Sequence, residues 1–174
     1  LTDWMESEGH DRPHIRLPEN QLRTIDTLAA AGKRVVVVLF GGSPVELPFA
    51  ERVSAIINLY LPGQAGGEAA RALLYGEVNP SGKLAETWPM RGEDIPFHAE
   101  YAQSTREVYR ESIFVGYRYY NTAQRKVRFP FGHGLSYTEF AYSQPQITEA
   151  DGSITVRCKI TNTGSRAGAE VVQL

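Results

Sequence analysis

Leu22, Ile25, Leu28 and Ala29 recur at helical spacing between Pro18, whose fixed φ suits a first helical turn, and Gly32, and this pattern predicts an amphipathic helix over Glu19 to Ala31. Val35 to Phe40 follows as an unbroken, largely β-branched apolar run without alternation. That is the pattern of a parallel strand covered on both faces. Its end, Gly41-Gly42-Ser43-Pro44, belongs to the class of loops that line the ligand crevice of open α/β sheets. A short helical piece around Phe49 to Val53 precedes a second apolar run, Ala55 to Leu61, broken only by Asn58, which reads as a second buried strand. A Gly-rich loop, Pro62 to Glu68, then opens a helix with Ala69, Ala72, Leu73 and Leu74 on one face and Gly76 as its terminator. Asn79-Pro80-Ser81-Gly82 composes a tight turn, Lys83 to Trp88 a shorter strand, and 91–103 a long surface excursion.

Aromatic residues crowd the next stretch, with Phe114, Tyr117, Tyr119, Tyr120, Phe129 and Phe131 close together. Such density stacks on sugar or base rings, but more often seals a domain edge. Beyond Ser136 the period becomes two. Phe140 and Tyr142 alternate with small or polar residues, as do Ile154, Val156, Cys158 and Ile160, Asn162-Thr163-Gly164 turns the chain, and Val171-Val172 opens a further strand. The fold class expected is α/β. It comprises a partial α/β sandwich, a parallel-rich sheet with helices on both faces, followed by a truncated β unit of immunoglobulin or fibronectin III type. The strands in view number about three, where such a sandwich needs about seven.

Composition narrows the function classes. A chain of 174 residues with 42% hydrophobic content holds one good core and a small second unit. A net charge of −2 without long charged runs leaves no electrostatic footprint for nucleic acid or an anionic membrane, so neither is expected as a partner. The apolar runs are too short to span a bilayer, and Leu1-Thr2-Asp3 begins no targeting segment. The chain opens inside a loop, without an initiating Met. The lone Cys158 excludes an internal disulfide; a small buried apolar role, in phase with Ile154, Val156 and Ile160, and a cytoplasmic setting are the expectations.

The chemistry concentrates in Trp4 to Pro13, where Glu6, Glu8 and Asp11 gather carboxylates beside Arg12. A cation next to several carboxylates holds one ionised while another stays protonated, which suits general acid work. The plainer reading is a solvated loop with a local Asp11–Arg12 ion pair. Two rivals are weaker. His10 and His14 have zinc-motif spacing with Glu8 and Asp11 nearby, but Pro13 breaks any helix that would align them. The Gly-rich loops at 41–44 and 62–68 follow strands as nucleotide-binding loops do, yet neither spells the dinucleotide fingerprint or a P-loop.

Six segments in order resemble the C-terminal half of glycoside hydrolase family 3 β-glucosidases. They are Glu6-Ser7-Glu8-Gly9-His10-Asp11-Arg12, Gly42-Ser43-Pro44-Val45-Glu46, Gly63-Gln64-Ala65-Gly66-Gly67, Asn79-Pro80-Ser81-Gly82-Lys83-Leu84, Phe114 to Tyr120, and Pro130 to Tyr137. The resemblance implies that residues 1–131 are the later part of the family's C-terminal α/β sandwich domain and 132–174 the start of its fibronectin type III-like domain. It further implies a retaining glycosidase without cofactor or metal, acting on a β-glucoside or oligosaccharide. The acid/base of that family is the Glu before Gly-x-Asp-Arg, here Glu8; Asp11 and Arg12 are expected to pair and brace the loop at the substrate, with Trp4 a candidate for the aglycone side. The nucleophile is an Asp of an N-terminal (β/α)8 barrel, the partner domain that no part of this chain resembles. Glu6 remains the competitor for the acid/base role. A carbohydrate-binding or structural module without activity of its own is the alternative function.

Overall fold

The computed structural model describes residues 6–101, 103–106 and 108–173. They form two compact units, one of the described residues up to 70 together with 84–132, the other of 71–83 and the described residues from 133 on.

In the first unit, α1 spans Glu19–Ala30 with Pro18 as N-cap. The backbone amides of Gln21 and Leu22 donate to Pro18 O at 3.0 and 3.1 Å, and the helix closes on Gly32 with Gly32 N to Ala29 O and Lys33 N to Leu28 O. This paired closure satisfies carbonyls that a helix end would leave orphaned. Leu22 and Ile25 pack on the core, while Leu28 stays 43% exposed.

β1 (Val36–Leu39) and β2 (Ala55–Asn58) pair in parallel, Val36 opposite Ala55 and Leu39 opposite Asn58. Strands buried on both faces were expected; of these residues only Leu39 is buried. The reason is the sheet itself, which among the described residues has two strands, so that each is an edge. The apolar runs also outlast the ladder, leaving Phe40 44% and Leu61 76% exposed.

The core is instead completed by a segment that is no regular element. Val45, Leu47 and Phe49 join Leu17, Leu39 and Trp88, and Phe49 is 0% exposed. Alternation turns these three inward, but Pro48 lacks an amide to donate, and Glu46 ties the segment by its own N–H to Ile15 O at 2.9 Å and by Oε1 accepting from Gly92 N at 3.0 Å. The short helical piece around Phe49 to Val53 is a single 3-10 turn, Ala50–Arg52.

α2 runs Gly66–Leu74. β3 is only Trp88–Pro89, at the far end of the strand expected over Lys83 to Trp88, and pairs antiparallel with β4 (Val127–Phe129) with a register shift where Pro89 has no N–H to give. α3 (Tyr117–Thr122) arises from the aromatic-rich stretch, to which the pattern assigned no element. Tyr120 is buried, Tyr117 stacks on Phe131 at 4.9 Å between centroids, and Tyr109 is 86% exposed. The excursion at 91–103 contains two 3-10 turns, Gly92–Asp94 and His98–Glu100.

The second unit carries an interrupted ribbon. β5 (Phe140–Tyr142) pairs antiparallel with β8 (Ile160–Asn162), and inside them β6 (Gln146–Ala150) pairs with β7 (Ser153–Arg157). Asp151 and Gly152, with φ of 49° and 72°, close the tip as a two-residue hairpin turn. Asn79 anchors this unit, its Oδ1 accepting from Ser136 Oγ at 3.0 Å and Tyr137 N at 2.8 Å. Two expectations are corrected here. Cys158 is exposed, because β7 stops at Arg157 and every residue of β6 and β7 is itself exposed, with no second layer over them among the described residues of this unit. Val171 and Val172 are not in a strand.

Candidate functional site

Ser7 and His10 face each other as an isolated antiparallel bridge, which puts Glu8 and Gly9 at the tip of a tight turn. Gly9 has φ 75°, and a Cβ there would meet nothing within 4 Å. Its backbone angle, not crowding, calls for glycine at the third turn position. Glu8 is exposed at this tip.

Both flanks of the turn are fastened to the loop after β1. Glu6, half-buried, accepts the Gly42 N–H through Oε1, and Arg12 Nη1 donates to Ser43 Oγ at 2.6 Å. Gly41 N in turn donates to Tyr60 O at 3.0 Å, joining the carboxyl ends of β1 and β2. The acidic loop and Gly41 to Pro44 therefore share the same edge of the sheet, as the strand-end rule anticipates. Gly42 sits where a Cβ would lie 2.8 Å from Glu6 Oε1. Glu6 Oε2 and Arg12 Nη2 are buried and have no hydrogen-bond partner.

The two glutamates thus differ in kind. Glu6 is committed to a main-chain amide, whereas Glu8 is presented to solvent. The expected Asp11–Arg12 ion pair is corrected: Asp11 is exposed and Arg12 is spent on Ser43. Trp4 lies outside the described residues. His14 Nδ1 accepts from Arg16 N at 3.3 Å and His10 is exposed; among the described residues no group of three or more His, Cys, Asp or Glu is gathered as a metal site.

Beyond Tyr60, the Tyr60 hydroxyl donates to Glu86 Oε1 at 3.3 Å. Burial pushes the Glu86 carboxyl above the usual carboxylate range, opposed by that hydrogen bond, and burial likewise raises the Tyr60 phenol. Neither residue stood out in the sequence, because their contact spans separate elements and no local pattern announces it. Gly42 and Ser43 carried a signal as members of a loop at a strand end and of one of the six family-like segments, but not as partners of Glu6 and Arg12.

Residues 1–137 match the sequence profile of the glycosyl hydrolase family 3 C-terminal domain. The chain belongs to glycosyl hydrolase family 3. Among its family 3 relatives, thermostable beta-glucosidase B of Acetivibrio thermocellus is 48% identical over 179 residues, covering 100% of this chain and 24% of the relative. Beta-glucosidase BoGH3A of Bacteroides ovatus is 41% identical over 98% of this chain and 24% of its own length. Among solved structures, a Kluyveromyces marxianus beta-glucosidase superposes with TM-score 0.87 at 38% identity, over 92% of this chain and 19% of that one. DesR, a beta-glucosidase from Streptomyces venezuelae solved in complex with D-glucose, gives TM-score 0.84 at 41% identity over 92% of this chain and 21% of its own. The chain spans about a quarter of the length of these curated relatives. Its fold is that of the family's C-terminal domain.

Proposed function

We propose that this chain is the acid/base-bearing part of a retaining β-glucosidase that removes terminal β-D-glucosyl residues. Residues 1–131 act as the α/β sandwich domain and 132–174 begin a fibronectin type III-like domain; the nucleophilic Asp and most of the sugar pocket belong to an N-terminal barrel of the same polypeptide. The observation that carries the reading is the exposed Glu8 at the tip of the Ser7–His10 turn, inside the Glu-Gly-x-Asp-Arg motif, while Glu6 is held by Gly42. The β-glucosidase names of the relatives and the glucose bound to DesR support the substrate class.

Retaining glycosidases place two carboxyl groups about 5–5.5 Å apart, one attacking the anomeric carbon while the other protonates the leaving oxygen and later deprotonates water. Glu8 takes the second role. Arg12 braces the turn through Ser43, the exposed Asp11 is the residue beside it open to the substrate, and the motif assigns Trp4 to the aglycone side. A lone acid without the facing nucleophile forms no glycosyl-enzyme intermediate, so the 174-residue chain by itself does not hydrolyse aryl β-glucosides.

The test is Glu8→Ala in the full-length polypeptide that carries this chain. Hydrolysis of glucosides with poor leaving groups should fall by roughly 10²–10⁴-fold, the range of general acid–base contributions. Activated aryl glucosides should be far less affected in the first step, and azide should restore turnover as a glycosyl azide. A variant that keeps the parent's rate on poor leaving groups overturns the assignment.

A further inference from the structure

We propose that Glu6 is a positioning residue for Glu8: its carboxylate fastens the leading flank of the turn to the Gly42 amide, as Arg12 fastens the trailing flank to Ser43. The inference rests on Glu8 being the acid/base and explains how so short a turn holds it. A turn closed by one isolated bridge has almost no intrinsic stability, since a single pairing does not offset the entropy of ordering its residues. Here the two flanks grip consecutive residues, Gly42 and Ser43, at the carboxyl end of β1. The sheet thereby dictates where the tip lies.

Glu6 is suited to this and not to proton transfer. Its Oε1 is engaged by a backbone donor and its Oε2 is buried without a partner, so neither oxygen is offered to a substrate. Gly42 is the complementary half. No positive φ requires glycine there, and a Cβ would stand 2.8 Å from Glu6 Oε1, the far end of a flexible side chain that can shift slightly to admit it, so Gly42 contributes through its amide. Proton transfer demands near-attack geometry, and a misplacement of about 1 Å costs on the order of 10²-fold in rate.

In the full-length polypeptide, Glu6→Ala should lower kcat on poor leaving groups about 10–100-fold, with KM little changed. Azide should not rescue it, because Glu8 is still present as base. Glu6→Gln keeps an amide oxygen for the Gly42 N–H and should recover most of the loss, which it could not do if Glu6 gave up a proton. Independently of activity, hydrogen exchange on the 174-residue chain should show the Gly42 amide protected in the parent and in Glu6→Gln and open in Glu6→Ala. Full activity in Glu6→Ala with an unchanged Gly42 amide overturns the inference while leaving the Glu8 reading intact. Equal inactivity of Glu6→Ala and Glu6→Gln, with Glu8→Ala active, overturns both and makes Glu6 the acid.

Discussion

Arg12 and Ser43, thirty-one positions apart, are joined by a 2.6 Å hydrogen bond from Nη1 to Oγ, and this bond holds one end of the acidic loop on the sheet. A hydrogen bond to a charged group contributes about 1.5–3 kcal/mol. Ser43→Ala leaves the half-buried guanidinium without that acceptor, and its Nη2 already has none. Urea unfolding should register a loss in this range with an unchanged m-value; a loss below about 0.5 kcal/mol would mean that the loop is held elsewhere.

The packing prediction concerns the segment outside any strand. Phe49, 0% exposed within the cluster of Leu17, Leu39, Val45, Leu47 and Trp88, should cost about 3–5 kcal/mol when replaced by Ala, whereas Leu61→Ala, at 76% exposure, should stay within about 0.5 kcal/mol. Chemical denaturation of the two variants side by side decides this. Similar losses would mean that the core is not centred on 45–49.

Two groups should bend the pH dependence of stability in opposite directions. Burial lowers the His133 imidazole below its ordinary 6.5, with Lys83 adding to the effect, so the unfolded chain binds the extra proton. Its contribution is complete above pH 6.5 and lost as pH falls through the lower folded value. Burial raises Glu86 above its ordinary 4.5, so its contribution is complete below that pH and lost as pH rises through the folded value. His133→Gln should remove the loss on the acid side of 6.5, and Glu86→Gln should flatten the decline above 4.5; Tm followed from pH 4 to 8 reads both. Slopes of the reverse sign contradict the burial argument.

Cys158, exposed and one residue beyond β7, donates weakly to Ser143 O at 3.3 Å and Lys159 O at 3.7 Å and accepts from Ser143 Oγ at 3.8 Å, contacts too weak to shield an exposed thiol. A thiol reagent should label it under native conditions at nearly the rate seen in denaturant. Strong protection would place a further layer over β6 and β7.

How far the sequence reached depends on the range of the forces involved. Helix α1 was legible almost to the residue, Glu19–Ala30 against an expected end at Ala31, because Pro18 and Gly32 act within one turn of themselves. The β1–β2 pair was legible as elements, since long β-branched runs have few alternatives, and the turn at Glu8 was marked by its own Gly9. The motif around Glu8 named the family for the same reason: its residues adjoin in the chain. Tertiary structure alone decided which glutamate is presented and which is tied down, because the choice depends on an amide 36 positions away. It also decided that Arg12 meets Ser43 instead of Asp11, that Val45, Leu47 and Phe49 fill the core without forming a strand, and that Cys158 faces water. Each of these is set by what packs on a residue from a distant part of the chain, a pairing that neither periodicity nor propensity encodes. The same residue types would read alike in either arrangement; only the space left by the other elements distinguishes them.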